Sequence, residues 1–299
     1  MNFPEQGNLF VDEQVVPTID KPVNIASVPQ RSPFRYPGGK TWFVPTFRKW
    51  IQSLDSKPEL LVEPFTGGGI ISLTALFENL VEKAVMIEID HEVAAVWEAV
   101  MEGHAGWIAD RILNFDMSHE NLISTLHLSP VDLKQKAFQT LLKNRTLHGG
   151  ILAEGAGFVK NGENGKGIRS RWYPQTLARR MILLNQIREK VVFFRNNALE
   201  LLPHYAEQHH TVFFIDPPYT AGGKKAGQRL YRHSRLDHEQ LFKIAGSLRG
   251  DFLMTYDDAD EVKNLAEKHH FEVRRIPMNN THHAELFELV IGKNLAWLD

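Results

Sequence analysis

The chain contains no cysteine. That excludes a disulfide framework, zinc sites with thiolate ligands and any mechanism built on a cysteine nucleophile. It also has almost no net charge, with 34 Lys and Arg facing 36 Asp and Glu for a formal charge of −2. Nothing in the total demands a polyanionic partner, so any nucleic-acid surface has to be a local patch. No stretch approaches the roughly 20 uncharged apolar residues of a membrane span. The start, Met1 to Gln30, lacks the basic and apolar regions of a secretory signal. The expected location is cytoplasmic. At 299 residues, 43% of them apolar and 23% charged, the chain can bury a core in one large or two modest domains.

Pro4, Pro17, Pro22, Pro29 and Pro33 predict an irregular arm over 1–33, because prolines at this density defeat both helix and ladder. Within it, Gln6-Gly7-Asn8-Leu9-Phe10 resembles the short peptide that binds bacterial sliding clamps, although a plain flexible tail fits as well. From Leu60 onward strand and helix patterns alternate. Leu60 to Val62 reads as a strand, Ile70 to Leu80 has helical spacing, Ala84 to Ile89 is a second strand, and Val93, Val96, Trp97 and Val100 begin another helix. Residues 104–190 lose that rhythm and hold helical pieces (132–143 and 176–190) around a Gly/Asn-rich loop, 149–167. Alternation resumes with strands at 191–194 and 212–215. Asp237-His238-Glu239-Gln240 then opens a helix like a capping box, and strand patterns follow at 252–255, 271–278 and 286–291. The expected organisation is an α/β domain formed by 34–103 and 191–299, interrupted by a mainly helical insert, 104–190.

Two turns carry the chemistry. Glu63-Pro64-Phe65-Thr66-Gly67-Gly68-Gly69 follows the first strand, and Asp90 lies 21 residues after Gly69, where an acid can hold a ribose. A dinucleotide fingerprint needs a third glycine where this chain has Ser72, so the turn points to an adenosine-bearing cofactor without saying which. Asp216-Pro217-Pro218-Tyr219 follows a second apolar run and so belongs at the carboxyl end of a central strand, where open α/β sheets bind ligands. Prolines lack N–H groups, so the Asp216 carboxylate and the Pro217 carbonyl are left as a rigid pair of acceptors beside an aromatic ring. Such a pair suits an exocyclic amino group on a nucleobase.

Together with Arg35-Tyr36-Pro37-Gly38-Gly39-Lys40 and Asn144-Arg145-Thr146, these motifs make the chain resemble the Dam-type (D12 class) DNA adenine-N6 methyltransferases over about 34–295. The resemblance implies a Rossmann-like S-adenosylmethionine-dependent methyltransferase fold whose insert recognises double-stranded DNA. It further implies cofactor contacts from Tyr36, Lys40, Glu63, Phe65, Gly67, Asp90 and Asp216, with Asp90 on the ribose hydroxyls. Catalysis would fall to Asp216, Pro217, Pro218 and Tyr219, the tyrosine stacking on an adenine flipped out of the duplex. A cognate restriction enzyme is a further implied partner. Cytosine-N4 or RNA amino-methylation, and a catalytically inactive binding protein on the same fold, remain alternatives.

DNA contacts are expected from the insert despite the neutral total. From Lys143 to Arg195 there are eleven Lys or Arg, three Glu and no Asp. Arg145, Lys160, Lys166, Arg169 and Arg171, with Trp172 and Tyr173, suit a loop against phosphates and bases. Lys224 and Lys225 start a second basic run after the Asp216 motif. The histidine pairs 209–210, 269–270 and 282–283 are adjacent in sequence, so they diverge and predict no metal site.

Overall fold

The computed structural model describes residues 28–36, 38–219, 236–278 and 286–298. Their frame is a seven-stranded sheet with the order β3-β2-β1-β4-β5-β7-β6. Strands β1 (Leu60–Glu63), β2 (Lys83–Ile87), β3 (Val191–Phe194), β4 (Thr211–Ile215) and β5 (Asp251–Asp257) are parallel, while β7 (Leu286–Gly292) runs antiparallel between β5 and β6 (Glu272–Met278). Strand β4 is buried at all five positions, the pattern of a parallel strand covered on both faces. The order reverses between β1 and β4, which pair directly with Leu60 opposite Thr211. That reversal opens a crevice at the strands' carboxyl ends, bordered by Glu63 and Asp216.

Helix α1 (Val44–Ser53), entered through a 3-10 turn over Lys40–Phe43, packs Phe43 and Phe47 onto Phe214 of β4. Helices α2 (Ile70–Phe77) and α3 (His91–Met101) follow β1 and β2. The insert contributes α4 (Ala105–Leu113), α5 (His119–His127), α6 (Leu133–Thr146) and α7 (Pro174–Asn185). The first two of these are not foreseen from the sequence. Gly or polar residues interrupt both, and packing against α6 and α7 decides what local spacing does not. Ile108, Ile112, Leu141 and Met181 lie in the same buried cluster as Trp97, Phe47 and Phe214. Core packing therefore runs without a break from the sheet into the insert. Beyond β3 come a short α8 (Ala198–Leu201), α9 (His238–Ser247) and α10 (Asp260–Lys268). Asp237 caps α9 by accepting from the Gln240 amide at 2.9 Å, as its capping box predicts.

Candidate active site

A cavity of about 490 Å³ fills the crevice, within the roughly 300–1,000 Å³ of small-molecule sites. One wall is acidic. Glu63 ends β1 and accepts hydrogen bonds from the Ser72 amide, at 3.1 Å, and from the Ser72 hydroxyl. Burial pushes its carboxyl up to about 8, although the Ser72 bonds pull the other way. Ser72, which spoils the dinucleotide pattern, thus has a specific task in the first turn of α2. Glu88 follows β2 directly and accepts from the amides of Gly67, at 2.9 Å, and Asp90, at 2.8 Å. Burial pushes it up to about 7. Asp90 lines the same cavity and also caps α3, accepting from the Glu92 amide at 2.8 Å.

The glycine turn is shaped by close neighbours. A Cβ on Gly67, where φ is +47°, would lie 2.5 Å from the Tyr36 ring, and one on Gly69, at φ +64°, would lie 2.9 Å from Trp97. Trp97 donates its indole N–H to the Gly67 carbonyl at 3.0 Å. Tyr36 and Phe65 also line the cavity.

Asp216, just past β4, sits at the centre of a compact network. Its Oδ1 accepts from the Thr255 hydroxyl at 2.8 Å and the Tyr219 hydroxyl at 2.9 Å, and pairs with Lys40 Nζ at 3.0 Å. The second oxygen, Oδ2, receives no hydrogen bond from the described residues. Lys40 is 3% exposed; burial alone would lower it, but Asp216 and Glu288 hold it above its ordinary value. Its ammonium also lies 4.8 Å from the centre of the Tyr219 ring, and that ring stacks on Tyr256 at 6.0 Å. Tyr219 therefore points its hydroxyl inward here rather than offering a bare face to a base. Pro217 is buried beneath Asp216, and Pro218 lines the cavity.

The opposite wall is basic. Arg35, Arg145, Arg171 and Arg180 converge from the N-terminal motif, α6, the loop before α7, and α7. Arg145 is 7% exposed, donates to the Pro33 carbonyl and leaves a buried Nε with no hydrogen-bond partner among the described residues. Burial, then the neighbouring guanidiniums, push it down to about 9. Arginine remains charged at such a value, so the wall keeps its positive charge. Asn144 locks the wall in place. Its Oδ1 accepts from the Arg35 amide, and its Nδ2 donates to the Arg35 and Gly150 carbonyls, each at 2.8 Å.

The sequence-predicted DNA residues thus separate into groups. Arg145 and Arg171 face the main cavity, whereas Lys160, Lys166 and Arg169 border a second, open groove with His119 and His148. Arg169 is partly tied down by donating to the Met117 carbonyl at 2.6 Å. Trp172, expected beside the bases, is 9% exposed and packs on Phe115, so it serves the core; Tyr173 is 52% exposed. Lys224, Lys225, Gln6 to Phe10 and His282-His283 lie outside the described residues. Sequence reasoning missed Glu88, Thr255, Glu288, Arg35 and Arg180. Glu88 stands 19 residues after Gly69, so a count of about 20 fits it as well as Asp90. Glu288 had a signal, as a lone acid inside an apolar strand.

The residues fit S-adenosylmethionine: glycines that no side chain can replace, a carboxylate row for a ligand bearing two cationic centres, and a cavity of suitable size. Among solved structures, an rRNA methyltransferase, AviRa of Streptomyces viridochromogenes, shares 13% identity at a TM-score of 0.38, covering 88% of each chain. A Pyrococcus horikoshii protein provisionally classed as an RNA methyltransferase shares 9% identity at 0.38, covering 87% of this chain and 84% of its own. Neither likeness is close enough to carry an argument. No curated protein matches the chain significantly. No helix among the described residues is long and apolar enough to cross a membrane. A family model, that of the D12 class N6 adenine-specific DNA methyltransferases, matches residues 36–277, a span that holds the glycine turn and the Asp216 motif, and on that match the chain belongs to this family.

Proposed function

We propose that the acidic wall binds the methyl donor and holds adenine N6, while the arginine wall receives DNA phosphate beside an extruded nucleotide. The family's reaction is methylation of DNA adenine, and the division of labour between the walls is inferred from their chemistry. Glu88 takes the ribose hydroxyls, since each of its oxygens keeps acceptor capacity after its amide bond. Asp90 borders that position and fixes the start of α3. Glu63 faces the ammonium end of the ligand, and Tyr36 and Phe65 supply apolar walls. When bound, S-adenosylmethionine supplies a methyl group activated by its sulfonium.

The observation that carries the reading is the crowding of Asp216 Oδ1. Three donors fix that oxygen, so the carboxylate is oriented before substrate arrives and Oδ2 is left to accept from N6. The Pro217 carbonyl is the second acceptor. Adenine N6 is a weak nucleophile because its lone pair is delocalised into the ring. Two acceptors on its hydrogens favour a pyramidal nitrogen and free that pair. Positioning and preorganised charge then carry the rate. The amino group is shielded in duplex DNA, so the target base has to leave the stack to reach Asp216. Guanidiniums suit the strand at that point because they bind phosphate in a bidentate fork. A cytoplasmic location and a companion restriction enzyme belong to this proposal on sequence grounds alone.

The test is modified-base sequencing of DNA from cells expressing the chain, with Asp216→Ala as control. N6-methyladenine at one short motif, absent from the control, is the expected result. N4-methylcytosine would overturn the base assignment, and no modification would overturn the activity.

A further inference from the structure

Glu288 has no task in the scheme above. It is a buried acid on β7, between Phe287 and the apolar run Leu289, Val290 and Ile291. Its register partners are Asp257 on β5 and Ile276 on β6. Its Oε2 lies 3.0 Å from the Tyr219 hydroxyl and 3.3 Å from Lys40 Nζ. The same hydroxyl and the same ammonium reach Asp216 Oδ1 at 2.9 and 3.0 Å. Two carboxylates are therefore bridged twice, by one group that can pass a proton and one that holds a fixed positive charge.

We propose that Glu288 is the terminus of a proton relay that leaves the reaction centre through Asp216 and the Tyr219 hydroxyl. The inference rests on the adenine-N6 reading. In that reaction the N6 lone pair forms the N–C bond as the C–S bond breaks, and the released electron pair stays on sulfur. N6 is left with one proton too many. Asp216 takes that proton at Oδ2; once neutral, it no longer holds Lys40 as an anion does, and rotation about Cβ–Cγ presents the proton to the Tyr219 oxygen. Tyr219 accepts it while handing its own proton to Glu288 Oε2. Asp216 ends ionised, Tyr219 is unchanged, Glu288 is protonated, and Glu288 releases the proton to water as the products depart.

Charge favours this direction. Before the step Lys40 faces two carboxylates; afterwards it faces one, so the ion set is balanced when the proton rests on Glu288. Burial already pushes the Glu288 carboxyl up to about 7 against the opposing pull of Lys40, close to the working range of a proton acceptor. An Asp216 that kept the proton could not serve the next amino group. Glu288 touches no reacting atom and acts through Tyr219.

The experiment compares methyl transfer by the full-length chain on duplex DNA carrying its methylation site, over roughly pH 5.5 to 9. Wild type should gain rate as pH rises through about 7 and then level off, because only ionised Glu288 accepts. Glu288→Gln keeps an acceptor for Tyr219 yet cannot take the proton. It should lose about 10²-fold in kcat and the rise with pH, with cofactor affinity held within about twofold. Glu288→Asp should retain the rise. Infrared difference spectra of a single turnover should show a protonated carboxyl forming in wild type and not in Glu288→Gln. A Glu288→Gln profile that superimposes on wild type would overturn the relay. Equal losses in Glu288→Gln and Glu288→Asp with the rise intact would do the same, leaving Glu288 a packing role. Should Glu288→Gln fail to fold, Tyr219→Phe must lose the rise, and an unchanged profile there is the contradicting result. Absence of adenine methylation by wild type would instead remove the reading on which the relay rests.

Discussion

The two walls of the cavity are built in opposite ways. The acidic wall is assembled from strand ends: Glu63 closes β1, Glu88 follows β2 and Asp216 follows β4, each at the carboxyl edge of one parallel sheet. The basic wall draws Arg35, Arg145, Arg171 and Arg180 from four segments spread over some 145 positions of the chain. Strand ends are rigid, so the acidic wall can hold reacting atoms to within fractions of an ångström. The basic wall depends on packing between distant segments, above all on Asn144 tying Arg35 to the insert. On the proposed reading, chemistry falls to the wall whose geometry is fixed by the sheet, and DNA binding to the wall packed together from distant segments.

That contrast can be broken or sharpened by mutation. The largest effect is expected at Asp216→Ala, which should cut methyl transfer by about 10³-fold or more while DNA retardation persists. Loss of folding instead would make Asp216 structural. Arg145→Ala should weaken DNA binding by roughly 10–100-fold, the scale of one charge-assisted contact, with cofactor affinity little changed. Within the acidic wall, Glu88→Gln should weaken cofactor binding by about tenfold. Asp90→Ala should mainly remove the cap of α3, lowering stability by about 1 kcal/mol. Calorimetry on both variants decides between them, and the reverse ranking would return the ribose to Asp90.

Stability should also depend on pH in a direction set by the acidic wall. Glu63 moves from an ordinary 4.5 up to about 8 on folding, and Glu88 and Glu288 move up to about 7. The folded protein thus binds more protons than the unfolded chain between about pH 4.5 and 8. Stability from these groups is full below that window and is lost as pH rises through it. The melting temperature of the free protein should fall across the window, and Glu63→Gln should flatten the fall; an unchanged slope would contradict the burial argument. The smallest effect is expected in the salt dependence of DNA binding. Neutralising Arg169 and Arg171 together should lower the salt slope of DNA binding by about one to two, near 0.9 for each phosphate left without its cation. An unaltered slope would move the interface elsewhere.

How much of this was legible in the sequence follows the same division. The five parallel strands and the turns at Gly67 and Asp216 could be read because a buried parallel strand writes an apolar run and its end is marked by Gly, Pro or an acid. Ser72 looked like a defect because a fingerprint records residue types and not partners; its partner, Glu63, lies nine positions earlier. Asp90 drew attention from Glu88 because both satisfy the spacing, and only the position of β2's last residue separates them. The arginine wall could be read only in part: Arg145 and Arg171 fell in the basic run, Arg35 stood in a motif without an assigned role, and Arg180 carries no local pattern. Trp172 looked available to bases because composition does not say which side of a loop is packed. Asn144 was visible as part of a motif, yet its role as the tie between the N-terminal segment and the insert needs three dimensions.

The most direct test of the two-wall account is a pair of binding isotherms on Arg145→Ala, one with S-adenosylmethionine and one with duplex DNA carrying the methylation site. The account predicts cofactor affinity within about twofold of wild type and DNA affinity lowered by roughly tenfold or more. Lost cofactor affinity with intact DNA binding would contradict it, and would assign the arginine wall to the carboxylate of the methyl donor.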